Sequence, residues 1–300
     1  MALVVLCLVP QTASAQPTKL TWGWALGTTQ RFQLTESMTQ SLSGPAASDL
    51  EWQRTVIFTQ TVAQSNAGLV IRRTFGPVAV EVEGYGDAPV RYDPQDPATA
   101  QNARHPLIAP FVAMSGQTLR VQLDADGRVT GVDGTDELFR AMAGPLAQAD
   151  PSLSRHTGLP VAEQALIEQT QAALDLIPGR RVRTGESWDV AIPHTIPLVG
   201  KLNSDVAATL MSSRNGIATI TIEGALTQAE DEARPTLLQL TGSQITGKIE
   251  FDTRSGQPET QSLTIESNWT AANDLLEALQ VEETTQTIRQ TAELKRLPSP

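Results

Sequence analysis

Apolar and polar residues alternate along most of this chain with a period of two. Leu20, Trp22, Trp24 and Leu26 share one face of the pattern, and Phe32, Leu34 and Met38 share another. Trp52, Val56, Phe58 and Val62 repeat it with polar partners between them; Leu69, Ile71 and Phe75 then run into Gly76-Pro77, after which Val78, Val80 and Val82 resume it. Such alternation predicts strands with one buried and one wet face, the antiparallel habit. The Gly-Pro step predicts a bulge or bend, because proline cannot donate to a central ladder. Several runs exceed the usual strand length of about five or six residues. Long strands with internal bulges predict a strongly curved sheet or partial barrel.

Pro89, Pro94, Pro97, Pro106 and Pro110 mark residues 85–116 as a long irregular connection. Leu119, Val121 and Leu123 lead into the turn Asp124-Ala125-Asp126-Gly127 and return through Val129, a hairpin signal. Thr135 suits a helix N-cap, Asp136 and Glu137 its first turn, and Leu138, Phe139 and Met142 its apolar side. A second helix is predicted from Val161 to Ile177, with Leu166, Ile167, Ala173 and Leu174 inward and Pro178-Gly179 as its stop. Strand patterns return at Trp188, Val190 and Ile192, at Ala218, Ile220 and Ile222, and at Ile249 and Phe251 before a turn over Thr253 to Gly256. Leu263, Ile265 and Trp269 follow on one face, and Asp274 to Leu279 suits a helical turn. Val281 to Leu294 is rich in Thr and Gln with little apolar content, which predicts an edge or exposed strand.

The fold class is therefore mainly β (α+β): a large curved antiparallel sheet, or half-barrel-like halves, with one or two helices packed against it. Residues 1–15 form a leader, 16–150 an N-terminal β-rich half, and 151–300 a helix followed by a C-terminal β-rich half, the two forming separate units or one continuous domain. Gly116 to Gly127 and Gly247 to Gly256 follow a common order of glycine, alternating strand and tight glycine turn, so duplication of a β unit stays open.

The leader changes the picture most. Ala2 to Val9 is an apolar run broken by Pro10, and Ala13-Ser14-Ala15 offers a small-x-small cleavage site before Gln16, the pattern of a secretory signal peptide. No Lys or Arg precedes the run, which leaves the true start open. The run falls far below the roughly 20 residues that span a bilayer as a helix, so no transmembrane segment is expected. Export to the periplasm or the extracellular space follows, after cleavage near Ala15. Cys7, the single cysteine, lies inside the leader, so neither a disulfide nor thiol chemistry is expected of the mature chain. The net charge of -11 disfavours nucleic acid or anionic headgroups as partners.

Catalytic signatures are missing: no G-x-S-x-G elbow, phosphate loop, H-E-x-x-H or dinucleotide fingerprint occurs, and no enzyme, cofactor or metal site is expected. Gly185-Glu186-Ser187-Trp188-Asp189 lacks the second glycine of an elbow and is expected to be a loop entering a strand. His105, His156 and His194 have no convergent spacing. Asp124-x-Asp126-Gly127 lacks the later carboxylates of a calcium loop and suits a hairpin turn; Asp93 and Asp96, set among prolines, suit turns as well. The candidate ligand-binding residues are Trp22, Trp24, Trp52, Trp188 and Trp269, which either line a concave apolar surface or fill an ordinary core.

Tyr92-Asp93-Pro94-Gln95-Asp96-Pro97, the run Gly116 to Asp124, Gly127-Arg128-Val129 and the run Val132 to Leu138 together resemble an uncharacterised family of exported bacterial proteins, known as a domain of unknown function. The opening Leu20 to Gly27 and Gly185 to Trp188 are similar too. The resemblance implies an extracytoplasmic, β-rich, non-enzymatic protein, and supplies no site residues. The function expected is binding of an apolar small molecule or lipid on a concave β surface. The alternative is a structural or interaction module that meets another cell-envelope protein through its sheet edges.

Overall fold

The structure is a computed structural model that describes residues 16–44, 47–66, 68–84, 86, 88–149, 163–196, 200–228, 238–271 and 285–298. In chain order its strands are β1 (Thr18–Leu20), β2 (Thr29–Leu42), β3 (Ser48–Ser65), β4 (Gly68–Glu83), β5 (Val90–Tyr92), β6 (Thr118–Leu123), β7 (Val129–Asp133), β8 (Arg180–Val182), β9 (Ser187–Ile196), β10 (Gly200–Arg214), β11 (Ile217–Gln228), β12 (Leu238–Asp252), β13 (Gln257–Ala271) and β14 (Thr285–Leu297). A 3-10 helix (Pro97–Arg104) and α1 (Ala109–Val112) precede β6, α2 (Thr135–Ala149) follows β7, and α3 (Glu163–Leu174) precedes β8.

Twelve strands form one antiparallel sheet in the order β7-β6-β4-β3-β2-β14-β13-β12-β11-β10-β9, with β5 beside β4; β1 and β8 pair separately. Two meanders thus run outward from a central β2–β14 pair. Laid flat at about 4.8 Å per strand, the edges β7 and β9 would stand roughly 48 Å apart. Yet α3, a cylinder about 10–12 Å wide, touches both. The sheet must therefore curl around the helix, and it remains unclosed, as expected of a curved antiparallel sheet with a few helices.

The register shows why it curls one way. Val78, Val56, Leu34, Leu294, Gln261, Ile249, Ile220 and Leu210 align across the sheet on one face. The neighbouring row reads Ala79, Thr55, Thr35, Glu293, Ser262, Lys248 and Thr221. Threonine pairs such as Thr35–Thr55 (3.3 Å) and Thr264–Thr291 (3.2 Å) line this polar outer face. The inner face carries the cores. Val56, Val78, Val80 and Val82 meet Ile108, Met114 and Leu138 from the α1–α2 region. Val62, Ile71, Val121 and Leu123 meet Leu166, Ile167 and Leu174 of α3. Ile220, Ile222, Ile249 and Phe251 meet Leu20, Val182, Leu176 and Ile177.

The Gly-Pro bend predicted in β4 is present. Val56 pairs with Val78 and Phe58 with Phe75, so Gly76 and Pro77 together face Ile57, and a Cβ on Gly76 would lie 2.7 Å from the Ile57 carbonyl oxygen. The Asp124–Gly127 hairpin and the helix beginning at Thr135 also stand. Other expectations are corrected. The 85–116 connection holds β5, the 3-10 helix and α1 rather than being wholly irregular. On α3 it is Ala172, not Ala173, that is buried. Residues 21–28 are not a strand; they cross the end of the curled sheet and pair with no ladder. Gly116 lies before the short β6 while Gly247 is interior to β12, so the two glycine-led segments are not equivalent. The proposed turn at Asp274 to Leu279, the leader and His156 lie outside the described residues.

The segment from Val281 to Leu294 is a strand without a buried residue, as expected of an exposed one, but the edge placement is corrected. Where it is described it is no edge but the centre of the sheet, paired along its length with β13 and β2. Its low apolar content reflects a strand with no fully buried residue, polar outside and lying between two separately covered cores inside. Thr291→Pro removes a ladder hydrogen bond from a central strand and should cost about 1–3 kcal/mol. Urea unfolding would measure this, and a loss well under 1 kcal/mol would contradict the central placement.

Candidate functional site

The segment between β1 and β2 is held across one end of the curl. The Gly23 amide donates to the Gly256 carbonyl (2.8 Å), the Gln257 side-chain amide donates to the Gly23 carbonyl, and the Gly27 amide donates to the Val62 carbonyl (2.9 Å). The crossing needs two glycines. A Cβ on Gly23 would come 2.1 Å from the Ser255 carbonyl oxygen, and one on Gly256 (φ +67°) 2.2 Å from the Gly23 nitrogen.

This clamp sets Trp22 and Trp24 face to face, with ring centroids 5.4 Å apart and planes 11° apart. Trp22 Nε1 donates to the Leu174 carbonyl at the end of α3 (2.8 Å), satisfying one of the acceptors a helix C-terminus leaves open. The Trp22 ring meets Phe251 edge-on at 5.8 Å in the C-terminal core, while Trp24 packs in the α3 core. The stack therefore joins two cores that belong to opposite arms of the sheet.

Beside the stack, α3, the β6–β7 hairpin and β9 enclose a cleft of about 1220 Å³, lined by Trp22, Trp24, Leu69, Ile167, Arg128 and Pro193 among others. Asp124 on its rim is committed to the turn, its Oδ1 accepting from the amides of Asp126 and Arg128 (both 2.9 Å). Gln171 fastens α3 to the edge strand: its Oε1 accepts from the Val129 amide (2.7 Å) and its Nε2 donates to Asp175 (2.8 Å). Asp93 and Asp96 likewise accept from nearby amides, Gln95 and Ala98 respectively. Among the described residues no group of three or more His, Cys, Asp or Glu is placed to hold a metal.

The other tryptophans lie elsewhere. Trp188 packs on the C-terminal core that Trp22 also meets, its buried Nε1 without a partner among the described residues. Trp52 stands 5.8 Å from Phe111 under the α1–α2 region. Trp269 is buried with Leu202, and its Nε1 donates to Ser267 Oγ (2.9 Å). Of the five, the structure brings only Trp22 and Trp24 to the cleft.

Sequence reasoning missed a set of charged residues on the inner face. Arg54, Arg73 and Arg296 each occupy a position the alternation reserves for apolar side chains: Arg54 between Trp52 and Val56, Arg73 between Ile71 and Phe75, Arg296 two beyond Leu294. That mismatch was the available signal. Arg54 pairs with Glu36 at 2.5 Å. Arg296 pairs with Glu259, lies 3.6 Å from Asp252 and donates to Ser255 Oγ (3.0 Å). Burial alone would raise the Asp252 carboxyl. The Arg254 amide, the Ser255 hydroxyl and the Arg254 guanidinium outweigh it and hold the group below its ordinary range.

Two outcomes follow from this geometry. Gly23→Ala should destabilise the fold by about 1–3 kcal/mol through backbone overlap and abolish the near-ultraviolet circular dichroism of the tryptophan stack, both measurable on one sample. A folded-state pKa lowered at Asp252 means its contribution is complete above the unfolded value near about 4 and is lost as pH falls through the folded value. Asp252→Asn should therefore cost about 1–2 kcal/mol at neutral pH and little at about pH 2, a convergence that urea midpoints at the two pH values would reveal.

No helix among the described residues is long and apolar enough to cross a membrane. Among solved structures the chain is similar to lipovitellin, described under "lipid-protein interactions in lipovitellin", at 9% identity over 92% of this chain and a TM-score of 0.47; it spans only 25% of that protein. It is also similar to the β domain of the Bordetella autotransporter BrkA (11% identity, 90% of this chain and 99% of that one, TM-score 0.25). A third likeness is to OccK5 of Pseudomonas aeruginosa (9% identity, 92% of this chain and 100% of that one, TM-score 0.26). A search of the curated proteins finds no match. A family model does match, over residues 73–258, from the middle of β4 through the first residues of β13. With more than half of its length matched, the chain belongs to DUF6263, a family of unknown function.

Proposed function

We propose that this protein is an exported, non-catalytic carrier that holds an apolar small molecule or lipid against the concave face of its sheet. One observation carries the reading. At the middle of the sheet, Met38 and Ile265 flank Gln290, Ala292 adjoins Leu263, and Leu34 adjoins Leu294, all facing inward. These apolar residues are only half-buried, unlike the valines and isoleucines to either side. Leu34 packs on the α1–α2 core and Leu263 and Ile265 on the C-terminal core, so Met38 and Ala292 floor a trough between the two, with Gln290 and the Arg54-paired Glu36 beside them. An alkyl chain laid there would gain roughly 0.8 kcal/mol for each methylene removed from water.

Export rests on the apolar run Ala2 to Val9 and the Ala13-Ser14-Ala15 step. A non-catalytic role is supported by the missing nucleophile and phosphate signatures. The interaction-module reading loses its segment, because β14 is central and both true edges, β7 and β9, lie against α3.

The test is titration of the mature chain with N-phenyl-1-naphthylamine, whose fluorescence rises in apolar surroundings. Saturable binding at one site per chain is expected. Ala292→Trp, which fills the trough from a central strand, should weaken it by at least about tenfold, or about 1.4 kcal/mol, with little change in the urea midpoint. Absence of saturable binding to the unsubstituted chain would overturn the proposal.

A further inference from the structure

The three inner-face arginines differ in their partners. Arg54 has Glu36, and its guanidinium lies 5.7 Å from the Trp52 ring centroid and 5.2 Å from that of Phe111. Arg296 has Glu259 and Asp252. Arg73 has no carboxylate within ion-pair distance among the described residues. Its Nε donates to the neutral Oε1 of Gln60 (2.9 Å), and its guanidinium carbon lies 6.0 Å from the Phe58 ring centroid.

This charge sits in apolar surroundings. Phe58 and Phe75 adjoin it on one side, Val62 and Ile71 on the other, and Gln60 itself is 3% exposed. Burial lowers the guanidinium pKa from its ordinary value, though an arginine keeps its proton at neutral pH. A partly desolvated cation held by one amide and one ring is costly unless a counter-charge arrives. Its two terminal nitrogens have no partner among the described residues, and they present the end of the fork that matches a carboxylate or phosphate edge.

Position says what accompanies the anion. Arg73, Gln60 and Gln30 form a polar row across β4, β3 and β2. One step along the same face stands the aromatic row Phe75, Phe58 and Phe32, with Phe58 and Phe32 stacked at 5.4 Å. Beyond it begins the trough at Leu34. A cation at the foot of an apolar trough is complementary to a molecule with one anionic end and a long hydrocarbon chain.

Building on the carrier reading, and with Arg73 as a local exception to the net charge of -11 that disfavours anionic partners, we infer that Arg73 receives the anionic headgroup of a single-chain amphiphile, a carboxylate or a phosphate monoester, whose chain enters toward the trough as the cover over Phe58 and Phe32 (7% and 2% exposed) parts. Gln60 orients the guanidinium through Nε, and Gln30 extends the polar row beside the headgroup.

The test compares cis-parinaric acid with its methyl ester on the mature chain, on Arg73→Gln and on Arg73→Lys. The unsubstituted chain should bind the acid at least about tenfold more tightly than the ester. Arg73→Gln should bring the acid to the ester's affinity without weakening the ester, and should leave the urea midpoint of the free protein unchanged or raised, since an unpaired charge has gone. Arg73→Lys, which keeps the charge, should retain a preference for the acid and supplies the comparison if the Gln variant does not fold. Displacement of the probe by dodecanoate or by dodecyl phosphate then tells which headgroup the site takes. Equal binding of acid and ester by the unsubstituted chain, or equal loss of both in Arg73→Gln, would overturn the Arg73 assignment and leave the carrier reading standing. Failure of both probes to bind would sink the two together.

Discussion

A sheet this wide has one apolar face to hide and few helices with which to hide it. Most long strands contribute valine, isoleucine, leucine or phenylalanine to the same side, and the opposite side is largely threonine, serine and charge. The apolar face can leave water by stacking on a second sheet or by curling upon itself. Here it curls, and α3 stands in the gap where barrel closure would join β7 to β9. Everything else in the architecture answers that constraint. The bulge at Gly76-Pro77 bends β4, and the outer threonine pairs keep the convex side wet yet bonded.

Curling around too little material leaves the interior unevenly filled. The arms of the sheet are well covered, by α1 and α2 on one side and by β1, β8 and Leu176-Ile177 on the other. The middle is not. The same shortage that leaves Met38 and Ala292 half-buried inside the curve also admits Arg54, Arg73 and Arg296 to apolar register positions. Two of these are neutralised by carboxylates of the chain itself. The third is the only inner-face arginine among the described residues whose hydrogen-bond partner is neutral.

Much of the fold could be read from the sequence because a period of two survives any amount of tertiary detail. The runs at Trp52 to Val62 and at Ala218 to Ile222 became strands with the expected faces, and the hairpin at Asp124 to Gly127 obeyed its turn chemistry. Failures came where long-range pairing decided the outcome. Local polarity cannot distinguish a strand at an edge from one at the centre whose two faces are both lightly covered, so the Thr- and Gln-rich β14 was misplaced. The alternation Leu20-x-Trp22-x-Trp24 predicts a strand, but no neighbour pairs there, and glycine contacts at Gly256 hold the segment instead. The tryptophans showed where aromatic mass lies without showing that they divide among separate cores. The arginines were visible as exceptions to the pattern, which is a stronger clue than aromatic content.

The central pairing of β2 with β14 also orders the protein in time. Met38 and Gln290 meet across 252 residues of chain. Each arm is a meander of neighbours in sequence and can assemble from local hairpins, but the seam between them is a contact of very high sequence separation, the slow kind to form. Until it closes, two half-sheets expose the edges β2 and β14 and share no interior, so the trough does not exist. The trough is therefore made by the same pairing that joins the two halves of the chain.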